Sequence, residues 1–172
     1  TTQMHSAANQ SSIVINDGKL DLKASLNSAK ANASAWYQAS TKMLYNVLGQ
    51  CYEIYYRIET APTDERDTLR DELKQAYAEL DGSQNANKTT TRIVSVVFNF
   101  ADIDRKTRSR YARVITKAFK DKNKPTCFES FAQWVITKGG VIKALEEIKG
   151  DDKNTVTQAD VNRAVRQFTS LG

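Results

Sequence analysis

Apolar positions along the chain follow helical spacing over most of its length, interrupted by short polar or glycine-containing stretches. The clearest stripe is Met43, Leu44, Val47, Leu48, Cys51, Ile54, Tyr55 and Ile58, residues three and four apart that share one face of a helix. The helical pattern starts near Asp21, so one helix is expected from about Asp21 to Ile58. Ala61 and Pro62 break it, and Thr63 or Asp64 can cap the next helix. That second helix has its own stripe, Leu69, Leu73, Ala76, Tyr77 and Leu80, and Asp81-Gly82 ends it. So short a connection predicts an antiparallel helical hairpin.

Upstream, Thr1 to Ser12 is polar, lacks any period and reads as a mobile tail. Ile13, Val14 and Ile15, then Asn16-Asp17-Gly18-Lys19, then Leu20, Asp21 and Leu22 place two short apolar runs around an Asp-Gly turn, the composition of a tight β-hairpin. Lys19 to Ser25 can equally open the following helix. A lone hairpin is marginal in water, so this one must dock on the helices or pair with another chain.

Downstream, Ser83 to Lys88 is polar and places a linker near residue 85. Ile93, Val94, Val96, Val97, Phe98 and Phe100 have strand propensity, yet no second clear strand exists to pair with them, so a buried helix is expected. Asp104 to Lys120 predicts an amphipathic helix with Tyr111, Val114, Ile115, Ala118 and Phe119 facing inward, ended by Asn123, Lys124 and Pro125. Thr126 and Glu129 stand in capping-box relation ahead of Phe128, Phe131, Trp134, Val135 and Ile136. Gly139-Gly140 then stops that helix, and a short one is expected from Val141 to Ile148. Thr157 and Asp160 predict a closing helix carrying Val161, Ala164, Val165 and Phe168. The fold class is therefore mainly α: a helical hairpin followed by a small helical bundle, with a short N-terminal β-hairpin. The divisions fall at 1–19, 20–82 and 83–172, the last two separate or continuous.

Composition narrows the function classes. The chain has 172 residues, 40% of them apolar and 26% charged, a globular balance that permits a real core. No apolar stretch approaches the ~20 residues needed to span a bilayer, and Thr1 to Gln10 lacks a secretory pattern, so no membrane role is expected. Two cysteines, Cys51 and Cys127, match no zinc or redox spacing and imply reduced thiols and a cytoplasmic setting. The only histidine is His5, in the tail, which removes the commonest general base and most metal sites. Asp64, Glu65, Asp67, Asp71 and Glu72 occupy the first turns of a helix, where acids favour the dipole. Lys138-Gly139-Gly140 follows a helix rather than a strand and lacks the phosphate-loop spacing. No enzyme, cofactor or metal is expected.

Net charge is +5, and its placement says more than its size. From Arg105 to Lys124 the chain carries Arg105, Lys106, Arg108, Arg110, Arg113, Lys117, Lys120, Lys122 and Lys124 with Asp121 as the only acid. At about 100° per residue, Lys106, Arg110, Arg113, Lys117 and Lys120 form one stripe opposite the apolar face. Ordinary solvated faces mix signs, because like charges four apart cost a few tenths of a kcal/mol. Phosphates would relieve that repulsion, so nucleic acid, DNA ahead of RNA, is the expected partner.

The segment also invites comparison with a helix-turn-helix, in which Arg92 to Phe100 would brace, Asp104 to Phe119 would read, and the turn would fall at Ala101-Asp102-Ile103. The match lacks the usual turn glycine, and Arg108 stands where an apolar residue is usual, so an αα corner is the alternative. Thr107, Arg108 and Ser109, near the helix start, are the candidates for base contacts, while Arg105, Lys106, Arg110, Arg113, Lys117 and Lys120 would hold phosphates. Tyr45, Tyr52 and Tyr56 flank the first stripe and suggest a second contact surface, with homo-oligomerisation through the 41–80 hairpin. The function expected is a DNA-binding regulatory or architectural protein. The alternative is an assembly protein, a structural subunit or an inhibitor of a host factor, whose basic helix meets an acidic partner.

Overall fold

A computed structural model describes residues 13–36, 40–80, 86–99 and 103–152. The Asp-Gly turn makes its hairpin: Asp17 (φ 53°) and Gly18 (φ 76°) are both left-handed, as a two-residue turn between twisted strands requires. Strands β1 (Ile15–Asn16) and β2 (Lys19–Leu20) pair antiparallel with Ile15 opposite Leu20. The hairpin docks on its own chain. Leu20 is buried, the Val14 N–H donates to Ser25 Oγ at 2.8 Å, and Asp21 caps helix α1 (Leu22–Trp36) by accepting from the Ala24 N–H at 3.0 Å. Both readings of residues 19–25 thus hold in part, strand through Leu20 and helix from Leu22.

The single helix expected from Asp21 to Ile58 is two. Helix α1 ends at Trp36, and α2 (Thr41–Thr60) starts behind Ser40, whose side chain accepts from the Met43 N–H at 3.1 Å. A serine N-cap satisfies an otherwise orphaned amide and begins a helix rather than continuing one. Helix α2 packs against α1 and against every helix from α3 to α6, and every residue from Asn46 to Ile54 is buried. That includes three polar ones, Asn46, Gln50 and Glu53.

Helix α3 (Thr63–Ala78) buries Leu69, Leu73 and Tyr77 against this centre. Neither Thr63 nor Asp64 caps it, because the helix already begins at Thr63 with Pro62 in the cap position. Arg70 ties α3 to α2 through Glu59 at 2.6 Å. The apolar run after the linker is helix α4 (Thr89–Val97), with Ile93, Val94, Val96, Val97 and Phe98 all buried. Neighbours α1, α2, α3 and α5 surround it, so burial on all sides outweighs the strand propensity of its β-branched residues.

Helix α5 (Arg105–Lys120), α6 (Phe128–Thr137) and α7 (Val141–Asp152) complete the described residues. The α6 cap is Cys127, not Thr126: Ser130 Oγ accepts from the Cys127 N–H at 3.1 Å. Gly139 (φ 92°) and Gly140 (φ 112°) take the chain from α6 straight into α7, which extends beyond the expected Ile148. Buried residues on both sides of the expected boundary near 85 belong to one contiguous cluster, from Leu20 to Leu145. The expected tail at 1–12 and closing helix at 157–168 lie outside the described residues.

Candidate nucleic-acid interface

Helix α5 is positioned from both ends and from below. Asp104 caps its start, accepting from the Thr107 N–H at 2.8 Å; that bond holds the carboxyl below its usual range, with Arg110 and Lys106 adding smaller pulls. Tyr111, Ala112, Val114, Ile115 and Ala118 are buried, and Phe119 packs edge-on against Tyr55 at 5.0 Å. The opposite side carries the basic stripe: Lys106, Arg113 and Lys120 are exposed, Arg110 and Lys117 half-buried. Arg105 and Ser109 are exposed, Thr107 and Arg108 half-buried. Among the described residues, no ion pair involves Arg105, Lys106, Arg108, Arg110, Arg113 or Lys120.

The single acid of the basic run has a structural task. Asp121 accepts from the Trp134 indole N–H at 3.0 Å and from the Asn123 N–H at 2.9 Å. These two bonds, then Lys138 and Lys117, hold its carboxyl below the usual range. Lys124 lies over the Phe119 ring at 4.1 Å and Lys138 near the Trp134 ring at 5.7 Å, so aromatic faces fix two more cations beside the helix end.

The loop bearing Lys122 and Lys124 is clamped by α2. Tyr52 donates its buried hydroxyl to the Pro125 carbonyl at 2.6 Å, and its ring stacks on Phe131 at 4.9 Å. Glu53 is buried with its carboxylate shared between the Phe128 N–H at 3.0 Å and Arg57 at 3.1 Å. Gly49 leaves the room: a Cβ there would overlap the Phe128 carbonyl oxygen. Glu53 thus serves an amide at the first turn of α6, the kind of group a capping side chain would otherwise satisfy.

Two cations that sequence reasoning missed join the stripe. Lys138, at the end of α6, approaches Asp121 together with Lys117. Lys143, on α7, lines an open notch that Arg110 also lines. Neither lies in a local basic run: the packing of α6 on Asp121 brings Lys138 to the end of α5, and the α6–α7 reversal brings Lys143 beside Arg110.

The helix-turn-helix comparison meets a different arrangement. Thr90, at the start of α4, hydrogen-bonds Thr116 at 3.3 Å, while Phe98, past its end, packs on Tyr111 at 5.1 Å. Helix α4 therefore lies alongside α5 rather than bracing it at one steep crossing. The turn itself at 101–102 is outside the described residues. Of the tyrosine flank, Tyr52 is fully buried, Tyr56 is half-buried and packs against Phe119 at 6.2 Å, and Tyr45 is half-buried.

As for reactive groups, burial pushes the Cys51 thiol up, away from the reactive thiolate, and Cys127 is half-buried with Sγ 3.4 Å from Ser130 Oγ. No cluster of potential metal ligands occurs among the described residues, and none of their helices is long and apolar enough to cross a membrane. No protein-family model, curated protein or solved structure matches this chain.

Proposed function

We propose that the protein binds nucleic acid, DNA in preference to RNA, through the basic face of α5, and acts without catalysis as a regulatory or architectural factor. The observation that carries this reading is a single-sign stripe, Lys106, Arg110, Arg113, Lys117 and Lys120, on a helix held rigidly by its buried face. The acids nearest it are engaged as Asp104 in a cap and Asp121 in the Trp134 bond. Like charges at this spacing oppose the helix by a few tenths of a kcal/mol per pair, and a phosphate backbone is the ligand that turns that repulsion into affinity.

Because α4 runs alongside α5, contact favours phosphates over deep entry into a groove. Arg105, Lys106, Arg110, Arg113, Lys117 and Lys120 supply affinity, joined by Lys138 and Lys143. Thr107, Arg108 and Ser109 supply whatever base contacts occur.

The test is fluorescence anisotropy of labelled DNA and RNA across a salt series. For about four to six phosphates neutralised, log K falls with log salt at a slope of about −4 to −5. A variant with Arg110, Arg113 and Lys117 changed to Glu loses that binding. No binding of any probe at low salt overturns the reading and directs the search to an acidic protein partner.

A further inference from the structure

Beside the α5 stripe, the start of α2, α5 and the α6–α7 turn enclose an open notch of about 320 Å³, at the lower end of the ~300–1,000 Å³ of small-ligand clefts. Its walls combine apolar Leu44, Tyr45 and Ile142 with the cations Arg110 and Lys143, which come from two different helices. The notch depends on the glycine turn: Tyr45 Oη lies 3.0 Å from where a Cβ on Gly140 would sit, and Gly140 has φ 112°. Ile142, on the rim of the notch, is 59% exposed.

Phosphates explain the cations but give no use to the exposed Ile142 that lines the same notch. A duplex offers a basic ridge its phosphates, sugars and base edges, but it keeps the faces of its bases stacked within. A single strand offers both chemistries at once, a charged backbone for the cations and unpaired base faces for an apolar or aromatic surface. The charge around the notch and its apolar lining match that combination.

We propose that the notch takes one unpaired base of a single-stranded DNA whose backbone runs along the α5 stripe. This rests on the nucleic-acid reading of α5 and narrows its ligand to a single strand.

The deciding comparison uses the intact protein and three labelled probes of about 15 nucleotides: oligothymidylate, an abasic strand with the same phosphates, and a duplex. Oligothymidylate is expected to bind about tenfold tighter than the abasic strand. Ile142→Ser removes most of that advantage and leaves abasic affinity unchanged. Ile142 is exposed, so the variant should keep its thermal midpoint; the wild-type probe comparison needs no variant at all. Equal binding of base-bearing and abasic strands, with loss of both on reversing the α5 charges, overturns the notch proposal and leaves the α5 reading standing. Failure of every nucleic-acid probe overturns both, as does binding only of an acidic peptide with a leucine anchor. Self-association abolished by Ile142→Ser assigns the notch to a second copy and overturns the proposal.

Discussion

Helices α2 and α5 are both amphipathic and both carry charge, yet they place it oppositely. Helix α2 keeps an acid inside, where Glu53 meets the Phe128 amide and Arg57. Helix α5 keeps its apolar residues inside and displays cations met by acids only at its two ends, Arg110 and Lys106 near Asp104 and Lys117 near Asp121, among the described residues. A buried charge must be satisfied within the fold, because leaving it unpaired costs several kcal/mol. An exposed one can wait for a ligand, since water and salt screen it meanwhile. Substitutions in α2 should therefore be read in stability, and substitutions on the α5 stripe in binding.

The largest effect expected is at Gly49→Ala, where backbone rather than a flexible side chain blocks the added methyl; a loss of about 3 kcal/mol should appear in urea unfolding. Glu53→Ala comes next, at about 2 kcal/mol, because it strands the Phe128 amide in a buried site. If Glu53→Ala proved as mild as a surface change, the view of α2 as an internal clamp would fail.

Tyr52→Phe removes the hydroxyl from the Pro125 carbonyl and should cost about 1 kcal/mol, with faster amide exchange in the 121–127 loop as its local signature. Asp121→Asn links the two regions through pH. Its carboxyl is held below the ordinary range by Trp134 and Asn123, so its charge stabilises the fold above the unfolded value of about 3.9 and that contribution is lost as pH falls through the folded value. The gap in thermal midpoint between wild type and variant should shrink below about pH 4; a gap independent of pH would mean that the ionised form is not what Trp134 holds.

Arg113→Ala should change stability least, raising it by a few tenths of a kcal/mol at low salt as like-charge repulsion is relieved, with the gain fading at high salt. The same variant should lose nucleic-acid affinity and lower the salt slope by about 1. A variant that unfolds the protein while sparing binding would reverse the contrast between the two helices.

Much of the architecture was legible in local pattern. The Asp17-Gly18 turn, the α2 stripe and the inward face of α5 all stand where spacing placed them, because turn chemistry and helical period are properties of neighbouring residues. The errors came at helix starts, which capping geometry decides rather than apolar period. Ser40 divides a run that periodicity alone treats as continuous, and the α6 cap shifts to Cys127 in a first turn that Glu53, from α2, already serves. Of the candidate interface, the α5 cations were visible in sequence, whereas Lys138, Lys143 and the apolar notch were not.

By itself, the sequence determined a helical chain with a tight-turn hairpin signal, a central apolar stripe and one helix bearing cations of a single sign. Tertiary structure decided what those features face. It buried Tyr52 under Pro125 and Phe131, taking that ring out of the tyrosine flank, and it turned α7 back beside α5 to set Ile142 and Lys143 against Arg110. Helical period specifies which residues share a face, whereas the neighbour of that face depends on contacts far apart in the chain, and only folding brings those together.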